Sequence, residues 1–344
     1  LAAAFGQFNL VLGSREDSME TRHLGTLWPV SSLTLGGGGI GNVWGETTRE
    51  EAVATVKSAV DAGITLLDLA PGYGRGEAEM VVGEAFGGRL PDGVRTTTKY
   101  QLGSPRAADV YGKTEESLRR SLLHMKRERV DLFFLHSNIC PDSFTYPRFA
   151  ERQDKFATRW SLYLDAVIPA MEKLKASGLI GAWGITGTGV PMVIRQALMH
   201  SAKPAAVQAV ANLMDAVGNM KQYDEPGEPR AIISAAKSAG IGVMGIRAVA
   251  AGSLCAEIDR PLGDDEATVI DYKAAAPFRA LCATWGEDPA IVAHRYSLSM
   301  KGVDTVVLGV KNRAELAQCV EAADRGALST EEMTAIDGLR LRRP

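Results

Sequence analysis

Short β-like runs alternate with longer helical patterns along the chain. The runs Leu33-Thr34-Leu35, Ile64–Leu69, Val94–Lys99, Val130–His136, Leu179–Thr186, Ala205–Val210, Gly242–Arg247 and Thr305–Leu308 have the length and side-chain character of buried strands. Helical patterns fall between them: about Thr48 to Ala62, about Gly76 to Phe86, one opening at Thr114, then Ser161–Ser177, Val190–His200, Pro229–Ala239 and Pro289–Ser299. Arg313–Ala323 and Thr330–Leu339 close the chain. After Thr114 the helical period is explicit, with Ser117, Leu118, Ser121, Leu122 and Met125 recurring on one face. Thr48 with Glu51 three residues on reads as a capping box, and Gly63 as a left-handed stop.

Strands alternating with helices predict parallel βαβ units, and right-handed crossovers would close eight of them into a (β/α)8 TIM barrel. No linker marks a second domain, so residues 19–344 are expected to form one barrel domain. Residues 1–18 differ in character from the rest of the chain, lack the basic start of a secretory signal and precede Met19, so they are expected to be an extension or variable tail. The stretch Ser137–Arg159 interrupts the rhythm, and its aromatics, Phe144 and Tyr146 among them, predict a packed lid.

Composition narrows the function. A net charge of -3, with no basic block or acidic tail, favours a small diffusible ligand over nucleic acid or a membrane surface. Cys140, Cys255, Cys282 and Cys319 are too scattered for a disulfide framework or zinc site and suit a reducing cytoplasm. The five histidines form no metal-ligand cluster, and no apolar run reaches membrane-span length.

Active sites of such barrels lie at the C-terminal ends of the strands. Four polar residues stand there: Asp68 after Ile64–Leu67, Tyr73 in the next loop, Lys99 after Arg95–Thr98 and His136 after Leu132–Leu135. A carboxylate, a phenol, an ammonium and an imidazole on one rim can deliver a proton to a carbonyl oxygen, so carbonyl reduction or alcohol oxidation is the expected chemistry. A free phenol ionises near pH 10, and Lys99 nearby is expected to pull Tyr73 toward neutrality. Trp44 is a candidate wall of the substrate pocket or a core tryptophan packed on the lid; Tyr100 and Phe144 are further candidate walls. The start of the final crossover, Gly309 to Arg313, offers helix N–H groups with Lys311 and Arg313 for a phosphate.

These residues resemble the aldo-keto reductase superfamily. The matching stretches are Leu66-Leu67-Asp68-Leu69-Ala70-Pro71-Gly72-Tyr73-Gly74, Thr98-Lys99, Leu135-His136, Gly184-Ile185-Thr186-Gly187, Val207-Gln208 and Val307-Leu308-Gly309-Val310-Lys311-Asn312-Arg313. The likeness runs from about Met19 to Leu339. It implies Tyr73 as proton donor, Asp68 paired with Lys99, and His136 orienting the substrate oxygen. It also implies NADP(H) as cofactor, alternatively NAD(H), bound without a Rossmann fold. Met19–Leu24 resembles a hairpin that plugs the barrel bottom. The resemblance places Gln208 at the nicotinamide carboxamide, with Thr186 beside it where the usual Ser-Asn pair is Thr186-Gly187. Ile246 or Arg247 takes the place of a stacking Tyr, and Gly252 lies in a loop over the pyrophosphate. Glu315 stands where many members have an Arg on the 2′-phosphate, and Gln318 joins the set from the same helix. The implied partner is a small carbonyl or sugar, with a polar insertion suited to hydroxyls; oligomeric state is not implied. A nicotinamide-binding regulatory protein, like the family's channel subunits, is the alternative.

Overall fold

The computed structural model describes residues 19–148 and 150–343, so the tail expected over residues 1–18 lies outside the described residues. Eight parallel strands close a barrel in chain order: β1 (Leu33–Gly36), β2 (Leu66–Asp68), β3 (Arg95–Tyr100), β4 (Val130–Leu135), β5 (Ile180–Thr186), β6 (Ala206–Val210), β7 (Gly242–Ile246) and β8 (Thr305–Leu308). The crossover helices are α1 (Arg49–Asp61), α2 (Glu77–Phe86), α3 (Val110–Met125), α4 (Ile168–Ala176), α5 (Pro191–Met199), α6 (Pro229–Ser238), α7 (Pro289–Ser299) and α8 (Arg313–Asp324), followed by α9 (Thr330–Gly338). The strands are buried on both faces by helices outside and side chains within, which is why most of them read as apolar runs, while β3 buries Thr96, Thr97, Thr98 and Lys99.

The bottom of the barrel is closed by an antiparallel hairpin, Thr21–His23 with Pro29–Ser31. Leu24 at its turn packs with Leu66, Leu132, Phe134 and Met244. Asp304, just before β8, accepts from the backbone N–H of Gly25 (3.0 Å) and of Val243 (2.9 Å), fixing the hairpin to the N-terminal strand ends.

Several local expectations change. Thr114 does not open its helix: α3 starts at Val110, and the Thr114 hydroxyl donates back to the Val110 carbonyl at 2.7 Å. Thr48 caps α1 by accepting from Glu51 N, but the Glu51 carboxylate turns to Arg313, so no reciprocal capping box forms. Helices Ala267–Ala274 and Ala276–Trp285, between β7 and α7, were not read from the sequence. Pro277 occupies the first turn of its helix, where no N–H is needed. The insertion after β4 is built on a small parallel sheet, Asn138–Cys140 with Ala157–Arg159. Gln153 staples it by donating to Phe144 O (2.6 Å) and accepting from Tyr146 N (2.8 Å).

Where β8 meets β1, the glycine run has a steric cause. A Cβ on Gly36 would fall 2.1 Å from Leu308 O, and one on Gly39 1.9 Å from Val310 O. The turn after β1 therefore lies backbone to backbone against the loop after β8.

Candidate active site

Asp68, Tyr73, Lys99 and His136 converge at the C-terminal rim. Asp68 is the last residue of β2, and Lys99 lies on β3 with its side chain turned into the barrel. The Lys99 Nζ, with no exposed surface, donates to Asp68 Oδ2 (2.8 Å), to Leu69 O (2.8 Å) and to Tyr73 Oη (3.3 Å). Asp68 is held twice more, by Thr97 Oγ1 at 2.6 Å and Gln208 Nε2 at 2.8 Å. Tyr73 and His136 meet edge to face with ring centroids 6.5 Å apart.

Burial would lower the Lys99 pKa, but the adjoining Asp68 carboxylate and Tyr73 reverse this, and the ammonium is held above its ordinary range. The Tyr73 phenol moves up. Burial raises it more than Lys99 lowers it, and Asp68 adds to the rise, so the expected pull toward neutrality is reversed in this structure. Tyr73 is thus kept as a protonated phenol beside a cation. Burial, and then the Lys99 charge, push the His136 imidazole down to about 4, so it is neutral at pH 7. Its Nδ1 is buried without a partner among the described residues.

The expected pocket walls separate. Tyr100, next along β3, points outward into the core, fully buried and stacked on Phe133 at 4.9 Å. It does not line the mouth, as strand alternation requires once Lys99 points inward. Phe144 lies in the insertion, edge to face with Tyr146. The Trp44 indole lies over Gly38 and Gly309, where Cβ atoms would stand 2.5 and 3.3 Å from its Nε1, and Arg260 sits 5.6 Å above its ring. It belongs to the β8–β1 side of the mouth, across the barrel from the insertion.

Gln208, at the level of Thr186 in the sheet, is committed through its amide nitrogen to Asp68. The Thr186 hydroxyl is 3.4 Å from Leu135 O and 3.5 Å from Thr188 Oγ1, which donates to Asn138 in the insertion. Ile246 ends β7, half-buried. Arg247 follows in left-handed backbone (φ 63). Its Nε donates to Ala216 O at 3.3 Å, its Nη2 is buried without a partner among the described residues, and burial pushes its pKa down to about 10. Asn212 is fully used in structure, spanning Met214 N, Ala216 N, Ala216 O and Arg247 O. Gly252, with φ 99, ends the turn Ala250–Gly252, whose Ala251 carbonyl accepts from Arg260 at 2.8 Å.

The start of α8 is not a bare anion cradle. Glu315 accepts from Lys311 N (2.9 Å) and from Lys311 Nζ (2.8 Å), which also contacts Asp259. Glu51 accepts from Arg313 N (2.9 Å) and from the Arg313 guanidinium. Two N–H groups and both cations expected to meet a phosphate already hold the protein's own carboxylates, because Glu51 and Glu315 carry the charge that suits a helix N-terminus. Gln318 lies exposed two residues beyond Leu316 on the same helix. Two other features fit a nicotinamide dinucleotide: a guanidinium nitrogen on Arg247 without a partner among the described residues, and a left-handed turn after β7. Among the described residues no cluster of ligating side chains could hold a metal, and no helix is long and apolar enough to cross a membrane.

Sequence reasoning missed Thr97, although it stands two residues before Lys99 and so shares its inward face. It also missed Ser137, whose Oγ accepts from Leu102 N, Gly103 N and Gln101 Nε2 at the root of the insertion.

The model of the aldo/keto reductase family matches residues 32–341. An L-galactose dehydrogenase from Arabidopsis thaliana is 25% identical over 311 residues, covering 88% of each chain. A D-threo-aldose 1-dehydrogenase from a Pseudomonas species is 23% identical over 322 residues, covering 86% of this chain and 89% of its own. The crystal structure of an aldo-keto reductase from Klebsiella pneumoniae in complex with NADPH superposes with a TM-score of 0.65 at 21% identity, over 94% of this chain and 96% of that one.

Proposed function

The chain belongs to the aldo/keto reductase family, an oxidoreductase family that uses NAD(P)H, and on that footing we propose that it interconverts a small aldehyde, ketone or aldose and the matching alcohol, with Tyr73 as proton donor and acceptor. The observation that carries this reading is the Tyr73 hydroxyl 3.3 Å from a fully buried, Asp68-paired ammonium, beside a neutral His136. In the reducing direction, negative charge develops on the carbonyl oxygen, and Tyr73 gives it a proton. Lys99 then stands next to the phenolate left behind and stabilises it, while Asp68 keeps Lys99 charged and in place. His136 presents a neutral imidazole toward the mouth and fixes the substrate oxygen. In the oxidising direction the same phenolate takes the proton back.

A bound nicotinamide dinucleotide supplies or accepts the hydride. Thr186, Ile246 and Arg247 at the ends of β5 and β7, Gly252 in the β7 turn, and Gly309, Lys311 and Arg313 beyond β8 are the groups that would hold it. NADP(H) is the proposed cofactor with NAD(H) as alternative, because Glu51 and Glu315 offset Lys311 and Arg313, the two cations that would meet a phosphate there. The two sugar dehydrogenases among the relatives, and the polar insertion at the mouth, favour a hydroxylated substrate. Cytoplasmic residence and one barrel domain from Met19 onward belong to the same reading.

Tyr73→Phe tests it. The variant should keep its affinity for the cofactor, measured by tryptophan quenching, and lose at least about 10²-fold in kcat across a panel of aldoses and aldehydes. Turnover within a fewfold of the parent enzyme would remove Tyr73 from the role.

A further inference from the structure

Glu79 is a buried carboxylate that the proton-transfer scheme leaves unused. It lies in the first turn of α2 with no exposed surface, outside the barrel wall. Its Oε1 accepts from Thr98 Oγ1 at 2.6 Å, and its Oε2 lies 3.0 Å from Nδ1 of His124 on α3. A carboxylate taken out of water needs strong compensation, which a hydroxyl and a partly exposed imidazole supply poorly.

Its location gives it a task. Thr98 immediately precedes Lys99 on β3, so the two side chains leave the strand on opposite faces. Lys99 points in to Asp68 and Tyr73; Thr98 points out to Glu79. Tyr73 hangs from the same helical turn that bears Glu79, because Ala78 N donates to Tyr73 O and Glu77 N to Gly74 O, each at 3.3 Å. The ring of His124 presses on that turn from α3: a Cβ on Gly76 would come within 2.6 Å of it. On the solvent side, Arg49 holds Glu77 and Glu84 of the same helix. Glu79 is the inward tie, one carboxylate joining the strand that carries Lys99, the turn that carries Tyr73, and α3.

We propose that Glu79 is a positioning residue for the reaction, which with Thr98 and His124 sets the separation of the Tyr73 hydroxyl from the Lys99 ammonium. The proposal rests on the reading of Tyr73 as proton donor. The 3.3 Å contact it governs is already long for a charge-assisted hydrogen bond, so a small retreat of the turn breaks it. A displacement on the order of 1 Å at a reacting group can cost about 10²-fold in rate.

The experiment compares Glu79→Leu, Glu79→Gln, Thr98→Val and Tyr73→Phe in the full-length enzyme, with kcat, the KM for cofactor and Tm measured for each. Glu79→Leu should lower kcat by about 30- to 100-fold with the cofactor KM changed less than about threefold. Glu79→Gln should restore kcat to within about fivefold, since its amide oxygen still accepts from Thr98 while its NH2 can donate to His124. Thr98→Val, which keeps the shape and removes one hydroxyl, should lower kcat by roughly fivefold and carries the test if the leucine variant does not fold. A lowered Tm with parental kcat in Glu79→Leu or Thr98→Val, while Tyr73→Phe is inactive, would reduce Glu79 to a structural residue. An active Tyr73→Phe would instead bring down the proton-donor reading and this proposal with it.

Discussion

Replacing Lys99 by Met removes the buried ammonium and keeps most of its stem. Asp68 would then retain Thr97 Oγ1 at 2.6 Å and Gln208 Nε2 at 2.8 Å but lose its one charged donor, and at 2% exposure it has no access to water in exchange. Breaking a buried ion pair by removing one partner costs about 3–5 kcal/mol. The two remaining donors to a carboxylate, each worth about 1.5–3 kcal/mol, place the loss at the lower end, about 3 kcal/mol. Adding Asp68→Asn removes the stranded charge, so the double variant should regain roughly 2 kcal/mol of this. Turnover should behave differently. Tyr73 loses the cation that stabilises its phenolate, and kcat should fall at least about 10²-fold in both the single and the double variant. Urea unfolding followed by tryptophan fluorescence at pH 7 reads the first quantity, and initial rates well below the unfolding midpoint read the second. A Lys99→Met protein within about 1 kcal/mol of the parent would refute the ion-pair energetics, and recovery of kcat in the double variant would show that Lys99 serves the scaffold only.

Two further outcomes arise from the charges. His136 titrates near 4 in the native protein against about 6.5 unfolded, so below pH 6.5 the unfolded chain binds a proton that the native imidazole refuses. Stability should therefore be fully present above about pH 6.5 and fall as pH drops toward 4, by roughly 3 kcal/mol from this group; His136→Asn should flatten that part of the urea-midpoint profile, and an unchanged profile would contradict the assigned shift. Glu315→Gln should remove one of the two carboxylates that hold Lys311, leaving Asp259, and raise kcat/KM for NADPH relative to NADH, by up to about fivefold for a partly exposed pair; an unaltered ratio would mean that Glu315 has no part in cofactor choice.

What the sequence disclosed depended on the range of the interaction. Strand positions, most helix positions and the closed parallel barrel were legible because the hydrophobic period is local and βαβ handedness leaves few topologies, whereas the helices Ala267–Ala274 and Ala276–Trp285 were not. The convergence of Asp68, Tyr73, Lys99 and His136 followed from that topology. Tyr100 was misjudged although the information was present, since inward Lys99 forces its neighbour outward. The state of Lys311 and Arg313 was not legible: Glu51 reaches Arg313 across 262 residues of chain, and only the fold brings them together. The direction of the Tyr73 shift was equally hidden, because it depends on a burial whose extent no local pattern records.

The seam between β1 and β8 bears on how such a mouth diversifies. Gly36 and Gly39 leave no side-chain volume between the first and last units of the barrel, so that sector cannot be remodelled by substitution and acts as a fixed hinge-post of the architecture. The opposite sector, between β4 and β5, carries its own sheet and staple in residues 138–159 and is tied to the loop after β3 by Thr158 donating to Gly103 O (2.8 Å) and Ser104 donating to Ala157 O (2.7 Å). Libraries that seek a new substrate belong on the exposed side chains of that insertion, with the ties to the loop after β3 left in place.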